Sequence, residues 1–308
     1  MICEEDCLVE INSFEEYIKF IKDYHKKNEC EIWYRGQKSN KFDLKPNLYR
    51  DAKMNIQPNG EIGKLEYDFV NFKDEFIKLK KEIVDKKLFD ISELNDFQVM
   101  FIAQHYGLLT PILDWTTDPL VALFFALDGY ELKEDKDIKS DEFSDDYNFP
   151  VIYILKPGIC NEFSGLINSD KSDIKVPICI DNQGNIFESW IENLNDTPAT
   201  YMPIAIFSNR DFSHRICRQS GKFTFHGAVS PLSYEWNDMR IKDEKLVKSI
   251  KINPKSVNEI KEYMLALDIT KKSIYRGVSD LDSICNQLKE EELIKFKEKI
   301  AESNKALV

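Results

Sequence analysis

Asp118-Pro119 introduces the run LVALFFAL at residues 120–127, which carries no polar side chain on any helical face. Asp is a favoured N-cap and Pro suits the first helical position. A helix that is apolar nearly all round has to be buried on most sides, so the fold must place layers around it. The residues just before it are of another kind. Gln104, His105 and Tyr106 offer hydrogen-bonding groups, and Asp114, Trp115, Thr116 and Thr117 place a charge, an aromatic and two hydroxyls side by side. Polar groups held at the head of a buried helix form a rigid site; the plain alternative is a capped core helix after an ordinary loop.

The remaining chain supplies enough apolar surface for such layers. Its 308 residues are 43% hydrophobic, which suits one large domain or two small ones. No run reaches the roughly 18–20 apolar residues of a membrane span. The start, MICEEDCLVE, lacks the basic residues and apolar core of a secretory leader, so a cytoplasmic location is expected. Seven cysteines are scattered without a CxxC pair, which argues for free thiols rather than a disulfide framework or structural zinc. His25, His105, His214 and His226 show no metal spacing, and no metal site is expected. The P-loop, the GxGxxG fingerprint, the zinc-protease signature and the G-x-S-x-G elbow are missing. A net charge of −12 disfavours sequence-independent binding of nucleic acid.

Periodicity divides the chain into alternating elements. Ser13 and Glu16 have capping-box spacing ahead of a helix over 14–27. Ile32 to Tyr34 read as a short strand broken at Gly36, and Asp43 to Arg50 as an extended loop leading away. Leu65, Phe69, Phe72, Phe76, Leu79 and Ile83 form one stripe of a helix over Lys64 to Asp90, followed by another over 93–105 that ends near Gly107. Residues 131–148 hold eight acids and three lysines, and read as a mobile insertion. Val151 to Leu155, Met202 to Ser208, Lys222 to His226 and Lys248 to Asn253 read as strands, with a turn at Asn182 to Asn185. Pro254 opens a helix with Val257, Ile260, Met264 and Leu267 on one face, and a charged helix covers about 280–302. The fold class expected is α+β, a mixed, mostly antiparallel sheet of about five or six strands flanked by helices. Residues 1–29 form an N-terminal helical segment, 30–290 the domain, and 291–308 the end of the last helix.

Three stretches carry candidate chemistry. In WYRGQ, residues 33–37, Arg35 ends a strand beside Gly36. A guanidinium can grip two phosphate or ribose oxygens, and the glycine admits a ligand to the backbone; the plain alternative is a surface ion pair. The central stretch is the second. In RICRQSGKFTF, residues 215–225, Gln219 precedes a glycine and an alternating strand and can bond ribose hydroxyls or an amide, or stand solvated in a loop.

These residues resemble the FRG domain family. WYRGQ (33–37) with LKPNLYR (44–50), QHYG (104–107) with ILDWTTDPLVALFFA (112–126), RICRQSGKFT (215–224) and a tail near Ser279 to Asp282 carry the likeness, over about residues 30–290. Leu109, Pro111 and Ile112 depart from the PTRLLDW pattern, which loses its arginine here. The layout is similar to that of ADP-ribosyltransferases, an analogy of fold. It implies NAD as substrate, with transferase or glycohydrolase activity in a bacterial toxin or anti-phage effector, and a protein or nucleic acid as acceptor. Arg35 and Gln219 then take the catalytic positions. Tyr34, Arg35, Gly36, Gln37, His105, Trp115, Thr116 and Thr117 hold the cofactor. Gln219 is neutral, so the charge beside a ribosyl cation is sought at Glu188, Glu192 or Asp114, although Asp114 also suits pinning its own loop through backbone N–H groups. A non-catalytic nucleotide sensor is the alternative.

Overall fold

Side chains alternate along Trp33–Gln37, so Trp33, Arg35 and Gln37 share one face of the strand and Tyr34 and Gly36 the other. Both faces are covered. A computed structural model describes residues 9–50, 72–131, 148–163, 176–183, 203–226 and 246–275, apart from 89 and 212, with isolated positions between 239 and 298. Its strands are β1 (Val9–Ile11), β2 (Trp33–Gln37), β3 (Ile112–Thr116), β4 (Val151–Leu155), β5 (Ile178–Cys179), β6 (Ile204–Phe207), β7 (Gly221–Phe225) and β8 (Val247–Ile252). They form one sheet in the order β1-β8-β4-β2-β3-β7-β6-β5. The two outermost pairings, β1 with β8 and β5 with β6, are parallel. The pairings between them are antiparallel.

The fold is α+β with a mixed sheet, but eight strands replace the expected five or six. Three strands among the described residues had not been read as such: β1 and β5 are edge strands of three and two residues, too short to show alternation, and β3 lies in the polar stretch read as a loop. The helices are α1 (Phe14–Lys27), α2 (Phe72–Asp85), α3 (Asp96–His105), α4 (Pro119–Leu127), α5 (Pro157–Phe163), α6 (His214–Arg218), α7 (Val257–Ala266) and α8 (Lys271–Ile274). One apolar cluster joins α1, α4 and α7 to Tyr34, Ile152, Ile154, Ile250 and Ile252. A second joins α2 and α3 to Ile112, Phe223 and Phe225. The third lies around Trp33, Leu113, Trp115, Tyr153 and Leu155.

Helix α4 forms as its sequence dictates. Asp118 Oδ1 accepts from Leu120 N at 2.8 Å and Val121 N at 3.3 Å, with Pro119 in the first turn. Val121, Leu123, Phe124 and Leu127 are buried, and burial contributes about 1.5–3 kcal/mol for each large apolar side chain. The helix lies directly on β2. A Cβ added at Gly36 would sit 1.8 Å from Ala122 O and 2.6 Å from Ala126 N. Here the expectation fails twice. Gly36 does not break the strand, and the backbone that approaches it closely is that of α4.

Other departures have equally local causes. At α1, Ser13 Oγ accepts from Glu16 N at 3.1 Å, but the Glu16 carboxylate accepts from Asn12 N at 2.8 Å, so the reciprocal bond is shifted by one residue. Residues 43–50 do not lead away. Leu44, Leu48 and Tyr49 are buried, Asn47–Tyr49 form a 3-10 turn, and Asn47 bonds Leu108 O at 3.0 Å and Thr110 N at 2.9 Å. The turn after β5 begins at Ile180, whose carbonyl accepts from Gln183 N at 3.0 Å. Leu267 is exposed, lying past the end of α7. Residues 64–71, the acidic stretch 132–147, Asn185, Tyr275's neighbours 276–284 and the end 299–308 lie outside the described residues.

Replacing Gly36 with alanine is expected to drive β2 and α4 apart and lower stability by about 3 kcal/mol or more. Urea unfolding of the Gly36→Ala variant measures this, and an unchanged midpoint contradicts the close packing.

Candidate functional site

β2 and β3 are neighbours, yet they pair only at Tyr34 and Thr116. Continuing that register would set Gly36 opposite Asp114, and no such pair forms. The strands part instead, and the Arg35 guanidinium bridges them. Its Nη1 donates to the main-chain carbonyl of Asp114 at 2.7 Å and lies 2.7 Å from the Asp114 carboxylate. One side-chain nitrogen thereby takes the place of a rung of the ladder.

Helix α3 buttresses the carboxylate. Asn95 caps that helix in a complete capping box with Gln98, which fixes where its last turn delivers Gln104 and His105. Gln104 Nε2 donates to Asp114 Oδ1 at 3.1 Å, and Gln104 Oε1 accepts from the Thr110 hydroxyl. Burial alone pushes the Asp114 carboxyl up. The charges of Arg35 and His105 and the hydrogen bonds from Arg35 and Gln104 outweigh it, and hold the group well below the ordinary carboxylate range. Asp114 does pin its surroundings, but through side-chain donors of Arg35 and Gln104 rather than through backbone N–H groups.

The third motif reaches the same place through the head of α4. Thr116 Oγ1 donates to Gln219 O at 2.6 Å and accepts from Asp118 N at 2.9 Å, while Thr117 N donates to Ser220 O at 3.2 Å. Ser220 takes a positive φ of 46°, which turns the chain from α6 into β7. Gln219 is buried, and its Nε2 donates to Ile274 O at 3.3 Å.

A cavity of about 190 Å³ opens where β2 and β3 separate. Tyr34, Arg35, Gly36, Gln37, His105, Trp115, Thr116 and Gln219 all line it, so segments far apart in the chain meet as expected. At four of the expected positions the side chain is placed or engaged elsewhere. Thr117, one residue past the end of β3, lies instead on a second cavity, of about 180 Å³. The Thr116 hydroxyl is committed to Gln219 O and Asp118 N. The Trp115 indole donates to Thr224 Oγ1 at 3.0 Å and is buried in the core. The Tyr34 hydroxyl bonds His25 Nε2 at 2.9 Å, and burial pushes it up.

Lys38, Phe42, Arg50 and Phe125 line the cavity without having been singled out. Phe42 precedes, and Arg50 ends, the segment taken for a departing loop. The LKPNLYR likeness was the signal that could have placed Arg50. Arg50 brings a second guanidinium to the rim, its Nε donating to Lys45 O at 3.2 Å. Glu188 and Glu192 lie outside the described residues. Among the described residues, Asp114 is the carboxylate that lines this cavity.

Two groups are left over. Gln37 is 6% exposed, and neither its Nε2 nor its Oε1 meets a hydrogen-bond partner among the described residues; Arg35 Nε is buried in the same condition. Such groups cost about 1–3 kcal/mol each when nothing satisfies them. Their position on one strand face, lining one cavity, suits a polar ligand. No group of three metal-ligating side chains gathers among the described residues. No helix among them is long and apolar enough to cross a membrane.

Comparison with known families gives one match: residues 30–136 fit the FRG domain. The match covers β2 through α4, and therefore Arg35, Asp114 and the head of α4, and stops short of Gln219. No curated protein and no solved structure matches the chain.

Asp114→Asn is expected to cost about 2 kcal/mol at neutral pH, below the roughly 3–5 kcal/mol of a fully buried broken pair because the Asp114 side chain is 38% exposed. The folded carboxyl is held below its unfolded value of about 3.9, so its contribution is present above that value and declines as pH falls below it. Urea midpoints taken between pH 7 and pH 3 check this. The gap between wild type and variant should narrow only below about pH 4.

Proposed function

We propose, from the premise that this chain belongs to the FRG domain family through residues 30–136, that it is an NAD-using ADP-ribosyltransferase or NAD glycohydrolase. The observation that carries the reading is the parting of β2 and β3 around Arg35, which gathers a guanidinium with an unsatisfied Nε, His105 and the unsatisfied Gln37 at one cavity. At about 190 Å³ the cavity is smaller than the roughly 300–1,000 Å³ that encloses a drug-sized ligand. It suits one end of a dinucleotide, with the remainder lying along the rim near Lys38 and Arg50.

Each residue has a task in that reaction. The bond between nicotinamide and ribose breaks with its electron pair leaving on nicotinamide, and the ribose carbon passes through an oxocarbenium-like state before a nucleophile attacks. Arg35, already aimed by Asp114, would hold a phosphate or ribose oxygen. Arg50 and Lys38 would balance the diphosphate. Gln219, fixed by Ile274 O and Thr116, would orient the ribose, since positioning supplies much of such catalysis. In a toxin or anti-phage effector of the cytoplasm, the nucleophile would belong to a protein or nucleic-acid acceptor, or be water.

A second reading is favoured by a specific observation. The carboxylate at the cavity is clamped between Arg35 and Gln104, so it is poorly placed to stabilise a cation on the ribose. A nucleotide sensor that binds without cleaving fits that arrangement.

Incubation of the purified chain with NAD, with release of nicotinamide as the readout, separates the two. Turnover in the wild type that falls at least about a hundredfold in Arg35→Lys, a change that keeps the charge beside Asp114, supports the enzyme. Saturable NAD binding with no nicotinamide released, with or without cell-extract acceptors, selects the sensor. Neither binding nor release rejects both.

A further inference from the structure

Gln37 stands on the same strand face as Arg35, paired in register beside Val151 as Arg35 is beside Tyr153. Its side chain is more than nine-tenths buried, yet its amide offers a donor and an acceptor that nothing among the described residues takes up. A strand side chain in that condition is unusual, because a leucine would fill the space without leaving polar atoms unsatisfied. Gln37 lines the cavity together with Arg35, two residues away on the same strand, whose Nε is equally unsatisfied.

We propose that Gln37 is the specificity-determining residue of this cavity and that it reads a planar carboxamide. That edge, a carbonyl beside an N–H, is shared by nicotinamide and by the lactam of a nucleobase. The inference rests on the reading of the cavity as a nucleotide site and names the part of the ligand that enters it.

The chemistry follows from complementarity. An amide facing an amide makes two opposed hydrogen bonds, one in each direction. The ligand carbonyl has a second lone pair for Arg35 Nε. A carboxylate in the same place offers acceptors alone. It would leave Gln37 Oε1 against an anion and add a second negative charge near Asp114, whose partner Arg35 is already neutralised. Phe42 is 48% exposed and Phe125 half-buried, and both line the cavity. They give the flat face of a ring something to lie against. The volume, about 190 Å³, is on the scale of one ring and its substituent rather than a whole dinucleotide.

The test uses the full chain and three probes: nicotinamide, uracil and nicotinate, with binding followed by ligand-observed NMR. The expected result is that nicotinamide or uracil binds at least about tenfold more tightly than nicotinate. Which of the two binds better identifies the ring the cavity accepts. In Gln37→Leu that preference should vanish while the melting temperature rises, because the orphan amide is gone. Equal affinity for amide and acid in the wild type overturns the proposal, as does undetectable binding of both amides at millimolar concentration. A Gln37→Leu variant that melts lower or fails to fold also overturns it, since the amide would then be holding the protein together. A carboxamide preference without NAD cleavage leaves this inference standing and removes the enzymatic one. NAD turnover with an unchanged KM in Gln37→Leu does the reverse.

Discussion

The backbone of α4 rests on β2 at Gly36, and the other features of the site follow from that contact. A side chain there would run into Ala122 O, so the helix can lie this close only over a glycine. With α4 held down, its N-terminus comes to the end of β3, where Thr116 accepts from Asp118 N. The same hydroxyl then fixes Gln219 O, and the turn into β7 is set. Arg35, next in the strand and facing the opposite way, is left where β2 and β3 part. Structural and chemical demands are thus met by adjacent residues on opposite faces of one strand.

The Arg35–Asp114 pair has a double character. Burial of charge is costly, and a half-buried pair is weak support for a fold unless its hydrogen bonds are complete. Here Asp114 has Arg35 and Gln104, and its main-chain carbonyl has Arg35 as well. The guanidinium ties the two strands together where their pairing stops, while its Nε stays uncommitted. A cleft lined by a held guanidinium is preorganised for an oxygen-rich ligand, because little side-chain motion remains to be frozen on binding.

Much of this arrangement was legible in the residues and some was not. The cap and burial of α4 could be read from Asp118-Pro119 and the apolar run, because both signals are local. Strands β4, β6, β7 and β8 were visible as β-branched and aromatic runs. Edge strands β1 and β5 were too short to show a period. Gly36 was misread because glycine inside a strand ordinarily marks a break. Its real cause, the passage of α4, is a contact across about 86 residues of chain and leaves no local trace. Thr116 and Thr117 look equivalent in sequence, yet one closes β3 and the other lies just past it, on different cavities. Asp114 could be recognised as a pinning residue. Its partners could not be named, since Arg35 and Gln104 come from different elements.

The order of the strands bears on how this molecule can associate. β2 and β3, which border the opening, are fourth and fifth of eight, so each rim of the sheet lies three strands away, about 14 Å at ordinary strand spacing. A strand added beyond β1 or β5 would therefore extend the sheet at a distance from the opening. Among the described residues, the edges of the sheet and its central crevice are separate places.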